Sequence, residues 1–453
     1  MENISNSIKT SEADFLVALF DGLNKNEITY CVLRNFDTLP YHLNGSDIDV
    51  FVSKEDFEKF HEILIQIATK FEGKIISKLT TPSVKDVAIC GFYNNEWWGI
   101  RFDTFTYIGT NECAIVSNKY IIDRIEFHNK IKVVNRNDAL IIGFVKEIIG
   151  AKKYSHRYSK GALKAYNAEQ ENYTRAFRET LPKVLVTDCL IPLLKDESVF
   201  SKHICHKLYK GYRKKAFINN PKKHIVNTIG SFGYKLKRLI KTPGFSVAIM
   251  GTDGSGKTTV INELIPLLEK PLHNKIVCSH MRPNTIPNIA QLFGKPKVDG
   301  LNENPHQGSA SGFLGSFLRL LYYTFDYIFG YWTKVNITLA KKTTIWFFDR
   351  YYYDYLIDQK RARINLPKWL INFIEVFIPA PDLIICLGAE PNLIYARKPE
   401  LPLNEIKKQI NKLKTFSKTK ENAVWVDTGE NSLETTINLT MLHIINKMSN
   451  RYQ

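Results

Sequence analysis

The chain has 453 residues, of which 44% are hydrophobic and 24% charged, with a formal net charge of +17. That length exceeds one compact core and implies two or three domains, while the composition is that of a soluble globular protein. The excess of positive charge favours acidic partners: nucleotides, phosphorylated metabolites, nucleic acid or an anionic membrane face.

Seven cysteines are scattered and never form a C-x-x-C pair. This argues against a disulfide framework or a zinc site and for a reducing, cytoplasmic setting. The first residues, MENISNSIKTSEADF, lack the apolar region of a signal peptide. No uninterrupted apolar run reaches membrane-spanning length. The nearest, residues 312–332, carries Arg319 and Asp326 in its interior and reads as a buried, aromatic-rich helix.

In chain order, ITYCVLRN (28–35) and DIDVFV (47–52) read as strands rich in Val and Ile. The segment 54–71 places Phe57, Phe60, Ile63, Leu64 and Ile67 at helical spacing. DVAICGFY and WWGIRFDTFTYI read as further strands. Asp47 and Asp49, two apart on a strand, face the same way and can share a pair of metal ions, with Asp103 on a later strand as a third ligand. The set resembles the nucleotidyltransferase superfamily, which implies nucleotidyl transfer with two Mg²⁺. It departs from that pattern in one place: the first strand ends in Arg34-Asn35 instead of Gly-Ser, and Gly45-Ser46 abuts the aspartates. The departure bears on triphosphate binding, and a ligand-binding module without catalysis is the alternative.

From about residue 135 the pattern turns helical, with ALIIGFVKEIIGAKKY one clear segment. Between residues 202 and 241 there are twelve Lys or Arg and no Asp or Glu. Ile225, Ile229, Phe232, Leu236 and Leu239 fall on one face of a helix there, flanked by Lys235, Lys237, Arg238 and Lys241. Such a helix either packs its apolar face on a domain or makes peripheral contact with an anionic membrane. TPGFS then breaks it. No nucleic-acid-binding module is evident, and no nucleic-acid partner is expected.

The remainder alternates strand and helix, with FSVAIM, KIVCSH, TTIWFFD, DLIICLG and NAVWVDT as strands. GTDGSGKT, residues 251–258, fits G-x-x-x-x-G-K-[ST] between an apolar strand and a helix. Gly251, Gly254 and Gly256 let backbone N–H groups of the loop, Ser255 and Thr259 included, close on phosphate oxygens. Lys257 supplies a positive charge to the β- and γ-phosphates, and the Thr258 hydroxyl is a hard ligand for Mg²⁺.

The loop, with YTFDYIFGYWTKVNITLA, TTIWFFDRYYYD, PAPDLIICLGAEPNLIYARK and VDTGENSLETTINLTM following in order, resembles thymidylate kinases and related nucleoside monophosphate kinases. The resemblance implies ATP and Mg²⁺. It places Asp349 on the metal, Arg350 on transferring or acceptor phosphate, Arg397 and Lys398 in a basic lid, and Asp253 on a sugar hydroxyl. Arg282, Asp326 and Tyr351 match the acceptor side. There the sequence departs from thymidylate kinase. Tyr327 follows Asp326 where an Arg is usual, the lid RKPELPLNE is short and proline-broken, and a long segment containing NENPHQGSASG intervenes. Loss of an acceptor cation, with Asp253 kept, points to a hydroxyl acceptor such as a sugar or polyol rather than dTMP.

The expected architecture is therefore an α/β multidomain chain. It has a nucleotidyltransferase-like α+β domain over 1–134, a helical region with a basic amphipathic linker over 135–243, and a P-loop kinase domain over 244–453 with a parallel sheet and helices on both faces. The expected activity is phosphorylation of a small-molecule acceptor, coupled to nucleotidyl transfer in surface-glycan biosynthesis. A kinase with a non-catalytic N-terminal module and a true dTMP kinase are the alternatives.

Overall fold

The computed structural model describes residues 10–43, 47–81, 84–110, 113–287, 289 and 312–452. Gly45-Ser46, the start of MENISNSIKTSEADF and residues 302–311 of the NENPHQGSASG segment lie outside the described residues. The chain divides into two compact units, Met1–Leu236 and Lys237–Gln453.

The first unit is built on β1 (Tyr30–Val32), β2 (Ile48–Val52), β3 (Gly73–Thr80), β4 (Val84–Tyr93) and β5 (Glu96–Phe105). A two-stranded pair, β6 (Gly109–Thr110) and β7 (Cys113–Ala114), follows, then β8 (Ile125–His128) and β9 (Ile131–Val134). The main sheet has the order β3-β4-β5-β2-β1-β9-β8. It is mixed: β2 runs parallel to β5 and β1 parallel to β9, while the other neighbours are antiparallel. Helix Phe57–Lys70 buries Phe60, Ile63, Leu64 and Ile67, the stripe its 3.6-residue period requires. Apolar residues from Ile141 to Tyr212, on the helices after β9, join the same core as the strands.

The second unit holds a five-stranded sheet of β10 (Phe245–Gly251), β11 (Val277–His280), β12 (Ile345–Asp349), β13 (Leu383–Gly388) and β14 (Ala423–Asp427). Its order is β11-β12-β10-β13-β14 and every pairing is parallel. All residues of β10 and β13 are buried. A strand buried on both faces cannot alternate polar and apolar side chains, which is why these segments read as continuous apolar runs. The arrangement is an open, all-parallel α/β sheet.

Two helices differ from expectation. Phe313–Gly330 buries Leu320 and Tyr327 on one side but exposes Leu314, Leu318, Leu321, Phe325 and Phe329 on the other, so only half of it is core. In Pro221–Ile240 no residue is buried, and the apolar stripe from Ile225 to Leu239 faces outward. Of the two alternatives for that stripe, packing on a domain is not what the structure shows. On the opposite side of the helix Tyr234 and Arg238 are half-buried. Among the described residues no helix is long and apolar enough to cross a membrane.

Candidate active site

Parallel order brings β11, β12 and β10 side by side, so their carboxyl ends form one edge. Such edges are where open α/β sheets bind ligands. In register, Asp349 at the end of β12 lies beside Ile249 of β10 and His280 of β11. The chain leaving β10 becomes the loop 251–256 and enters helix Lys257–Leu272 at Gly256, which has φ +86°. A Cβ on Gly251 would lie 2.6 Å from the Leu387 carbonyl. Gly254 has φ +83°, and a Cβ there would sit 3.1 Å from Lys398 Cβ and 3.2 Å from the Ile394 carbonyl. The phosphate loop is therefore roofed by helix Pro391–Arg397, and a side chain at residue 254 would be strained by its backbone and would press on that roof.

Lys257 is buried and donates to the Thr252 carbonyl at 2.8 Å. Burial, then the Arg350 guanidinium, push its ammonium down to about 7. A positive charge kept in this pocket lacks water and sits beside another cation, so an incoming phosphate relieves both penalties. Asp253 bridges two guanidiniums: Arg350 donates to its Oδ1 at 2.7 Å and Arg361 donates to its Oδ2. Burial alone would raise this carboxyl, but Arg350, Lys257 and Arg361 hold it well below the usual carboxylate range. Arg350 has φ +69° and is locked from behind, its second nitrogen donating to buried Asp354 at 2.9 Å.

Asp349 accepts from His280 Nδ1 at 3.4 Å through Oδ2, while its buried Oδ1 has no hydrogen-bond partner. Exposed Thr258 and Thr259 lie in the same cleft. An unpartnered carboxylate oxygen and a threonine hydroxyl on residues lining one cleft are hard-oxygen donors of the kind that suit Mg²⁺. The cleft measures about 180 Å³, less than the 300–1,000 Å³ usual for a whole small-molecule ligand, as befits the phosphate end of one. Ser255, also in the loop, is fully buried, and its amide donates to the Thr252 carbonyl.

Lys398 reaches the cleft paired to Glu400 at 3.0 Å. Arg397 is turned away, donating to the Thr428 carbonyl at 2.9 Å. The expected acceptor-side residues separate further. Asp326 is fully buried and accepts from the backbone N–H of Asn284, Thr285 and Ile286 at 3.1, 2.9 and 3.2 Å. Arg282 donates to it at 2.8 Å and lies over the Tyr323 ring at 4.5 Å. Asp326 thus organises the loop after β11 rather than facing the cleft. Tyr351 is a core residue whose hydroxyl donates to the Pro379 carbonyl at 2.6 Å, which corrects its expected contact with substrate.

Sequence reasoning missed Arg361. It lies in the run KRAR, which reads as solvated charge, and no local pattern couples it to Asp253, 108 residues away. His280 was legible with Arg282 in SHMRPNT as an acceptor-side candidate, but its pairing with Asp349 was not.

In the first unit the parallel register sets Asp49 opposite Asp103, and Asp103 in turn opposite Asp86 on β4. The aspartates are gathered as expected, with Asp86 added, but cations already fill the space between them. Arg34 donates to Asp49, and to Asp47 at 3.1 Å. Arg101 donates to Asp86, and to Asp103 at 3.2 Å. Burial and Asp103 push Asp86 up, and Arg101 offsets part of this. No group of three or more His, Cys, Asp or Glu among the described residues is arranged to hold a metal ion. The expectation that Asp47, Asp49 and Asp103 share a metal is not met by this geometry, in which each carboxylate has one oxygen paired with a guanidinium.

No protein-family model matches the chain, and no curated protein matches it. Part of the chain is similar to solved thymidylate kinases. That of Candida albicans is 19% identical, with 46% of this chain and 93% of that chain covered and a TM-score of 0.33. That of Ehrlichia chaffeensis is 16% identical, with 45% of this chain and all of that chain covered and a TM-score of 0.30.

Proposed function

We propose that the unit Lys237–Gln453 is an ATP-dependent phosphotransferase acting on a small-molecule acceptor. One observation carries the reading: Lys257, Asp253, Arg350 and Arg361 converge at the loop after β10, in one cleft with Thr258 and Asp349. Phosphoryl transfer demands positioning and charge neutralisation more than covalent help from the protein, and this cleft supplies both. The loop N–H groups and Lys257 bind the β- and γ-phosphates of ATP. Thr258 and Asp349 are the residues to hold Mg²⁺, which when bound shields phosphate charge. Arg350, fixed by Asp354, faces the transferring group, and Lys398 closes on it from the short lid.

The acceptor follows from Asp253. A sugar or polyol hydroxyl needs a carboxylate that takes up its proton. Asp253, held low by three cations, is a weak base for that task. Arg350 and Arg361 favour an acceptor already carrying negative charge, a phosphate monoester of a sugar or nucleoside. Asp253 then receives a hydrogen bond from an acceptor hydroxyl. The test is transfer from labelled ATP and Mg²⁺ to a panel of sugar phosphates, nucleoside monophosphates, free sugars and polyols. Labelled product from phosphate monoesters, lost in Lys257→Ala, is the expected result. Product from free polyols alone would restore Asp253 as the base and the hydroxyl as acceptor.

For the first unit, Arg34 and Arg101 on the aspartates favour a binding module over coupled nucleotidyl transfer in surface-glycan biosynthesis. Asp47→Ala and Asp49→Ala are then expected to leave every product unchanged. Release of pyrophosphate from a nucleoside triphosphate, abolished by either substitution, would establish the coupled route instead.

A further inference from the structure

Helix Pro221–Ile240 is amphipathic in the inverse of the usual sense. Its polar side, with His224, Ser231, Tyr234 and Arg238, is half-buried. Its apolar side is open: Ile225, Ile229, Phe232, Leu236, Leu239 and Ile240 are between 46% and 89% exposed. At 3.6 residues per turn these six lie within about 100° of arc, one continuous stripe along the helix. Lys235 borders the stripe on one side and Lys237 on the other, and both are exposed. Lys222 and Lys223 stand at its N-terminal end and Lys241 just beyond its C-terminal end, all exposed. No carboxylate occurs between residues 202 and 241 to neutralise them.

We propose that this helix docks the protein onto an anionic lipid surface, with the stripe inserted among the acyl chains and the lysines on the headgroups. Charge selects this occupant. A large ring and branched aliphatics bounded by lysines match a layer that is apolar within and negative at its border. A second copy of the chain laid on the same face would set Lys235 and Lys237 against their own like charges. The inference is independent of the chemistry assigned to the phosphate cleft.

The experiment is sedimentation of the full chain with vesicles of phosphatidylcholine alone and of phosphatidylcholine mixed with phosphatidylglycerol. Binding to the mixed vesicles only, weakened by added salt, is expected. Ile229→Glu and Phe232→Glu, both exposed, are expected to reduce it about tenfold or more with thermal melting unchanged. Lys235→Gln with Lys237→Gln is expected to weaken binding and flatten its salt dependence. Failure to bind mixed vesicles, or binding that survives Phe232→Glu, overturns the proposal. A concentration-dependent dimer abolished by Phe232→Glu, with no vesicle binding, would assign the face to a second copy.

Discussion

Arg350 donates to Asp253 at 2.7 Å, tying the end of β12 to the phosphate loop after β10. Arg361 closes on the other oxygen of the same carboxylate, so one negative charge organises a buried and a half-buried cation. Asp253→Asn removes that charge and leaves the guanidiniums facing each other. It is expected to cost about 3–5 kcal/mol in chemical denaturation at neutral pH, the range for breaking a buried ion pair. Because the carboxyl is held low in the fold, its contribution is complete above the ordinary carboxylate range, begins to fade there, and is lost only well below it. The variant and the parent should therefore converge in stability at acid pH. Arg361→Ala is expected to raise KM for the acceptor while leaving ATP affinity within a few-fold.

Gly254 combines a left-handed backbone with close packing under the helix Pro391–Arg397. An alanine there must hold a left-handed backbone, at about 1–2 kcal/mol, and press on Lys398 and the Ile394 carbonyl. Gly254→Ala is expected to weaken ATP binding about tenfold, which corresponds to about 1.4 kcal/mol. Titration calorimetry against Gly233→Ala provides the control, since nothing lies within 4 Å of a Cβ at residue 233.

Asp326→Ala strips three backbone N–H groups and Arg282 of their acceptor inside the protein. A loss of about 3–5 kcal/mol is expected, since the buried Arg282 loses its carboxylate partner and three backbone donors lose their acceptor. Calorimetric melting checks it. An unchanged Tm would mean that the loop 282–286 is held by other contacts.

His61 gives the first unit a defined acid sensitivity. Burial pushes its imidazole down to about 4 from an ordinary 6.5, while Nδ1 contacts the Phe57 carbonyl and Nε2 the Thr104 hydroxyl. The unfolded chain binds the proton first as pH falls, so stability is full above 6.5 and declines between there and about 4. The decline amounts to about 3 kcal/mol. His61→Gln should flatten the Tm profile across that window, and an equal slope in both proteins would rule the histidine out as its source.

The strands of the second sheet and the glycine-rich loop were legible in the sequence because each depends on neighbours in the chain. A continuous apolar run, a glycine that must turn, and a lysine opening a helix are local requirements, and β10 through β14 appear where those patterns stand. The convergence of Asp49, Asp103 and Asp86 was half legible: spacing on one strand was visible, the register between strands was not. Tertiary structure alone decided the partners of the charges. It brought Arg361 to Asp253, Arg34 to Asp47 and Asp49, and the backbone of 284–286 to Asp326, and it withdrew Tyr351 into the core. It also turned the stripe Ile225–Leu239 outward, although its periodicity would serve a buried face equally well. The reason is physical. Periodicity states which side chains share a face, but what that face meets depends on segments a hundred residues away, and an ion pair exists only where folding brings both charges within reach.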